Sequence, residues 1–199
     1  LSSTGVSAAV GQQIGALDFF NSDADIPGVA AYVRALAGPS AGVGGQLIFG
    51  TQETWNTGVL RERLRIDSAG NVTATGNITA GGNVLVTSNT GGLGYGTGAG
   101  GTVTQATSKG TTVTLNRPTG LITTASDSLG AGVTAAFTVN NTVMSLTDVV
   151  HLNVTNGNYS GRVYNNSNGS FVIALKNETG GPLSDTVIIN FAIIKGATS

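Results

Sequence analysis

The residues in this chain best suited to chemistry are aromatic rings set among amides. They are Trp55 in QETWNTG, Tyr159 after Asn158 in NGNYSG, and Tyr164 followed by Asn165, Asn166 and Asn168 in RVYNNSNGS. A ring face stacks on the C–H face of a sugar, while amides and hydroxyls exchange hydrogen bonds with the sugar hydroxyls. Trp55, Asn158, Tyr159, Tyr164, Asn165 and Asn166 are therefore the candidate receptor-contact residues. The same Asn- and Gly-rich runs are also ordinary turn chemistry around a packed aromatic, and that reading stands beside the first.

Acid, base and metal chemistry finds less to work with. His151 is the single histidine, placed on the outer side of the alternating segment VVHLNV, with no serine or carboxylate at a motif-forming position and no GxSxG. Sugar cleavage needs two carboxylates about 5–10 Å apart, and Asp127, Asp148, Glu178 and Asp185 all fall at expected turns. Asp23 and Asp25 form a D-x-D pair, short of the six to eight oxygens calcium takes, so a solvated turn is the expectation. The GxGxxG-like spacing between Gly91 and Gly101 precedes no helical pattern and fails as a dinucleotide loop. The chain is accordingly read as a non-enzyme with no catalytic residue, no metal ligand and no cofactor.

The elements that must position these residues are read from composition and period. Only 10% of the 199 residues are charged, the net charge is −1, and Gly alone contributes 31. Solubility then comes from hydroxyls and amides, a pattern of β-rich, tightly assembled extracellular or virion proteins. A hydrophobic share of 40% in regular alternation argues against disorder. Cysteine is absent, so disulfides and thiolate sites are excluded. No basic cluster is present for nucleic acid, and no apolar run of membrane-spanning length exists. The opening LSSTGVSAAV has neither an initiator Met nor a basic leader, and is read as the cut end of a longer chain rather than a signal peptide.

Gly70 to Thr87 reads GNVTAT, GNITAG, GNVLVT, a hexad repeat with a period of two beneath it. Val72, Ala74, Ile78, Ala80, Val84 and Val86 fall on one side, with Gly76 and Gly82 among them, and threonines and Asn77 on the other. So narrow an apolar edge cannot bury itself in one chain, and a shaft of three intertwined chains, about 60 Å long if fully extended, is the expectation. A long hairpin within a monomer is the competing reading.

Before the repeat, Leu17–Phe20 reads as a short strand, Val29–Ala37 as a strand by alternation although its alanines favour helix, and Gln46–Phe49 as another. In LRERLRID, Leu60, Leu64 and Ile66 oppose Arg61, Arg63, Arg65 and Asp67. The arginines read as a cross-strand-paired face or an anion patch, and Glu62, on the apolar side, as a partner for an arginine of a neighbouring chain. After the Gly-rich segment 87–101, short strands are expected near 102–106, 111–116, 120–125, 133–139, 148–155, 161–166, 170–176 and 186–195, the signature of a β-sandwich. The last, DTVIINFAIIK, is apolar on both faces, which predicts a strand either central in a two-layer fold or buried at a subunit interface.

Two resemblances add to this. The order LDFF, AAYVRALA, GGQLIFGT and ERLRIDSAGNV, over about residues 15–75, resembles the shafts of bacteriophage tail fibres and tail spikes. Many of those continue into a self-cleaving chaperone with a Ser-Lys dyad, from which this chain departs. GYGTGAGGTVTQATSKGTTVTLNRPTGLITT, LTDVVHLNV and VIINFAIIKG, over about 93–199, resemble a β-sandwich module at the C-terminus of phage tail, neck and head-fibre proteins. The fold expected is all-β, an intertwined trimeric β shaft followed by a jelly-roll-like C-terminal β-sandwich: shaft 1–90, Gly-rich joint 91–101, head 102–199. The resemblances imply a homotrimer on the exterior of the phage particle, in contact with other virion structural proteins and with a host cell-surface polysaccharide or protein. Neither nucleic acid binding nor membrane insertion is expected. A depolymerase with an inter-chain site, or a module that only drives trimer assembly, are the alternatives.

Overall fold

A computed structural model of the chain, described here over residues 9–22, 27–38, 44–53 and 58–197, is all-β, with no helix among those residues. It divides into two compact units at Leu85/Val86, ahead of the expected boundary at residue 90, so that Val86 belongs with the second.

The first unit is a five-stranded antiparallel sheet in chain order: β1 (Gln13–Asn21), β2 (Gly28–Leu36), β3 (Gln46–Gln52), β4 (Leu60–Ile66) and β5 (Val72–Ala74). Residues 28–36 are a strand despite their alanines, because they are paired on both sides, with β1 and with β3. The β4–β5 turn is built by Asp67, whose carboxylate accepts from the backbone N–H of Ala69 and of Asn71, both at 2.9 Å. Gly70 closes that turn at φ 84°, where a side chain would be strained.

A bulge reverses the expected faces of LRERLRID. Phe49 pairs with Leu64 while Gly50 pairs with Glu62, leaving Arg63 as the extra residue. Glu62 and Arg65 therefore share a face and pair with each other at 2.5 Å within the chain. Arg61 bonds Glu53 and Arg63 bonds the Thr51 hydroxyl, each at 2.9 Å, so all three arginines are engaged locally. On the same face as Glu62, Arg34 pairs with Asp18 at 3.2 Å and lies 4.0 Å over the Tyr32 ring. Tyr32 rests on Gly50, where an added Cβ would meet the ring at 2.2 Å. Only glycine leaves room for that ring.

The hexad repeat does not form the expected continuous strand. Val72 and Ala74 lie in β5, while from Thr75 to Gly101 no residue belongs to a strand. Ile78, Val84 and Val86 are exposed large apolar residues, Ala80 is exposed too, and nothing lies within 4 Å of a Cβ placed on Gly76 or Gly82. With one chain, the apolar edge has no partner strand to pair with.

The second unit has two four-stranded sheets over one core. One orders β10 (Val149–Val154), β13 (Ile188–Ile194), β8 (Thr119–Thr123), β6 (Thr102–Thr104); the other β11 (Tyr159–Ser167), β12 (Ser170–Asn177), β9 (Thr134–Asn140), β7 (Val113–Thr114). All pairings are antiparallel except β6–β8 and β7–β9. Ile122, Ile189, Phe191 and Ile193 of the first meet Phe137, Val139, Phe171, Ile173 and Leu175 of the second. Phe171 and Phe191 touch edge to face, with centroids 5.3 Å apart. The closing strand β13 is central in its sheet, as one of the two expectations had it; within this single chain one face is buried in the core, and on the other Ile188 and Ile194 are exposed. Its neighbours there are Thr123 across from Ile188 and the exposed Val149 across from Ile194.

Candidate functional site

β10 and β11 are edge strands of opposite sheets, and their adjacent ends frame the candidate site. β11 pairs regularly from Tyr159↔Asn177 to Val163↔Ile173, then skips, so that Asn165 faces Val172 and Tyr164 is the unpaired bulge residue. A bulge re-aims the side chain it carries and bends the strand. The Tyr164 ring is 66% exposed, with the Arg162 guanidinium 5.7 Å from its centroid. The skip also reverses the alternation beyond it. Asn166, which unbroken alternation would put on the Tyr164 side, pairs across from buried Phe171 and turns inward.

The result is a groove of about 460 Å³ lined by Leu146, Val149, Val150, Val163, Tyr164 and the amides of Asn165 and Asn166. Leu146 and Val149 are exposed apolar residues on its wall. In its floor the Asn166 Nδ2 donates to the Asp148 carbonyl at 3.0 Å, which fixes the amide orientation, since a carbonyl only accepts. The Asn166 Oδ1 is then a buried acceptor with no partner. Leaving such an oxygen unmet costs about 1–3 kcal/mol.

The groove is held by Asp148, whose buried carboxylate closes the 145–148 turn and ties it to the segment after β13. It accepts from the Ser145 N–H at 2.8 Å, the Gly196 N–H at 3.0 Å and the Lys195 ammonium at 2.5 Å. Burial, the largest single influence, pushes this carboxyl up. Lys195 and the two backbone donors together outweigh it and hold the group below the usual carboxylate range. A depressed folded value means that the stabilisation is present above the unfolded pKa of about 3.9 and disappears as pH falls through the folded one. The urea midpoint of the second unit is thus expected to drop below about pH 4. In Asp148→Asn it should start lower at pH 7 and drop less. An equal acid drop in both proteins would assign the loss to other carboxylates.

Of the remaining expected contact residues, Asn158 and Tyr159 are not brought here. Tyr159, at the far end of β11 and roughly 17 Å along the strand, is a core residue only 5% exposed. Its hydroxyl donates to Asp185 at 2.5 Å, so neither ring nor hydroxyl is offered to a ligand. Burial first, and then that carboxylate, push the Tyr159 hydroxyl well above its ordinary value. Asn158 serves its turn: its N–H donates to the Asn156 side chain at 3.0 Å and its carbonyl accepts from Glu178 at 2.9 Å. Trp55, Asp23 and Asp25 lie outside the described residues. His151 is exposed on the outer face of β10, as expected.

Each carboxylate weighed for catalysis is engaged. Asp148 has Lys195, Glu178 has Lys176 and Ser160, Asp185 has Tyr159 and Asn156, and Asp127 has the backbone and ammonium of Lys109. Among the described residues no group of three or more His, Asp or Glu is placed to hold a metal ion. Leu146, Val149 and Arg162 were not singled out by sequence. Their only signal was proximity to the Tyr164 run or to the VVHLNV strand. No protein-family model matches the sequence, and no curated protein matches it.

Proposed function

We propose that this chain is the distal part of a phage tail or head fibre, carried as a homotrimer on the virion exterior beside other structural proteins, and that it attaches to a host-surface glycan through the Tyr164 groove. One observation carries the reading. Tyr164 stands outward over the apolar wall of Leu146 and Val149, beside the exposed amide of Asn165. A sugar matches both, stacking a C–H face on the ring and exchanging hydrogen bonds between its hydroxyls and the Asn165 amide. The two sequence resemblances supply the virion setting. Attachment rather than cleavage is supported by the carboxylates, each held by a neighbour.

The test is binding of the full chain to host cells or their purified surface polysaccharide. Tyr164→Ala removes an exposed, unpaired ring and is expected to leave the fold intact. It should weaken binding about tenfold or more, the ~1.4 kcal/mol scale of an aromatic contact residue. Undiminished binding by Tyr164→Ala would move the contact elsewhere, and no binding by the wild type would favour a purely assembling module. Shortened polysaccharide chains after incubation would favour the depolymerase.

A further inference from the structure

Beside the Tyr164 groove stands a positive charge that nothing in the chain answers. Arg162 is exposed on β11, two residues before Tyr164, and lies across from Ala174 and, through it, from Ala136. Neither alanine side chain carries an acceptor. The guanidinium rests 5.7 Å from the centroid of the Tyr164 ring, and among the described residues it makes no hydrogen bond and no ion pair. The other cations of the second unit are taken. Lys109, Lys176 and Lys195 pair with Asp127, Glu178 and Asp148, and Arg117 donates to the Gly98 carbonyl at 3.3 Å.

No carboxylate is free to come to Arg162 or to oppose an anion beside it. Asp148, the one acidic residue lining the groove, is buried and matched by Lys195. Glu178, which reaches β11 at Ser160, is held there by that hydroxyl and by Lys176 at 2.6 Å. The open charge at the groove is therefore positive. An aromatic ring attracts a guanidinium through its negative face. The N–H fork stays free to take a carboxylate or a phosphate through two parallel hydrogen bonds.

We infer that the glycan taken by the Tyr164 groove is acidic: the ring of one sugar stacks on Tyr164, and the carboxylate or phosphate it bears pairs with Arg162. The inference rests on the attachment reading above and adds the charge of the sugar, which that reading leaves open. A neutral sugar stacks on the same ring and leaves the guanidinium to water. An acidic one occupies both side chains at once, because Arg162 and Tyr164 lie side by side. An ion pair open to water adds little to affinity. Its effect falls on which sugar is chosen, since the partner lacking the charge gives up the charged hydrogen bonds.

The experiment is binding of the full chain to an array of surface oligosaccharides offered in matched pairs. Uronate oligomers stand beside their carboxyl-reduced neutral forms, and phosphate-bearing oligomers beside their dephosphorylated forms. Wild type is expected to hold an acidic member about three- to tenfold more tightly than its neutral counterpart. The pair that discriminates tells carboxylate from phosphate. Arg162→Gln removes no hydrogen bond from the fold and should bind both members of that pair alike. Raising the salt should shrink the preference in wild type and change nothing in Arg162→Gln. Tyr164→Ala should weaken both members. Equal binding of acidic and neutral members by wild type, or a preference that survives Arg162→Gln, overturns the acidic sugar. The groove then stands if Tyr164→Ala still weakens binding. Acidic binding that Tyr164→Ala leaves undiminished, or no binding to any member, overturns both.

Discussion

Replacing Phe191 with alanine is expected to lower the unfolding free energy of the second unit by about 3–5 kcal/mol. Phe191 is buried in the shared core and meets Phe171 edge to face, so the change opens a cavity between two sheets that cannot close independently. About 0.5–1.5 kcal/mol of the loss belongs to the ring pair itself. Phe191→Leu, which keeps most of the volume, should cost far less. Native-state hydrogen exchange of the β12 and β13 amides, at fixed protein concentration, reports this unit without interference from residues 1–85. The double change with Phe171→Ala should be less damaging than the sum of the singles, as expected for two residues in contact. Slowly exchanging amides with unchanged protection in Phe191→Ala would mean that the sheets are not held by this pair.

The second large effect concerns a charge. Lys109 is fully buried, and its ammonium donates to the Ala125 carbonyl at 2.9 Å and the Asp127 carbonyl at 2.6 Å, with the Asp127 carboxylate 3.6 Å away. Its own N–H donates to that carboxylate at 2.7 Å, so a single residue ties the turn 108–111 to the segment after β8. Lys109→Met keeps the stem and removes the donors. Each carbonyl left unmet costs about 1–3 kcal/mol, and a total loss of ~2–4 kcal/mol is expected. The partner carboxylate is about one-third exposed and keeps some water, which holds the figure below that of a pair buried on both sides. Lys109→Ala should lose more than Lys109→Met, by the packing of the stem. Equal melting of wild type and Lys109→Met would show that water takes over the ammonium's bonds.

The proposed attachment groove and the charged face of the first sheet draw on one local device. In β4 the extra residue Arg63 brings Glu62 and Arg65 to one face. In β11 the extra residue Tyr164 puts Asn165 outward and Asn166 inward. Both sequences alternate on paper as if no skip existed. A period-two reading carries parity forward unchanged, so it inverts every assignment beyond a bulge.

What the sequence determined by itself was the placement of strands. The alternation of VVHLNV, SFVIALKN and IINFAII, and the turn residues between them, put strands within a few residues of β10, β12 and β13, because strand period and turn chemistry are local properties. It also brought Tyr164, Asn165 and Asn166 forward as one group, since they are chain neighbours. Only the tertiary structure decided that Tyr159 is core while Tyr164 is surface, that Lys109 is buried, that β13 covers a core on one side only, and that Leu47 and Phe49 of the first sheet lie exposed. Each of those depends on which strand lies opposite and on what lies across the sheet. Such contacts join residues far apart in the chain, and no local pattern of types or spacings records them.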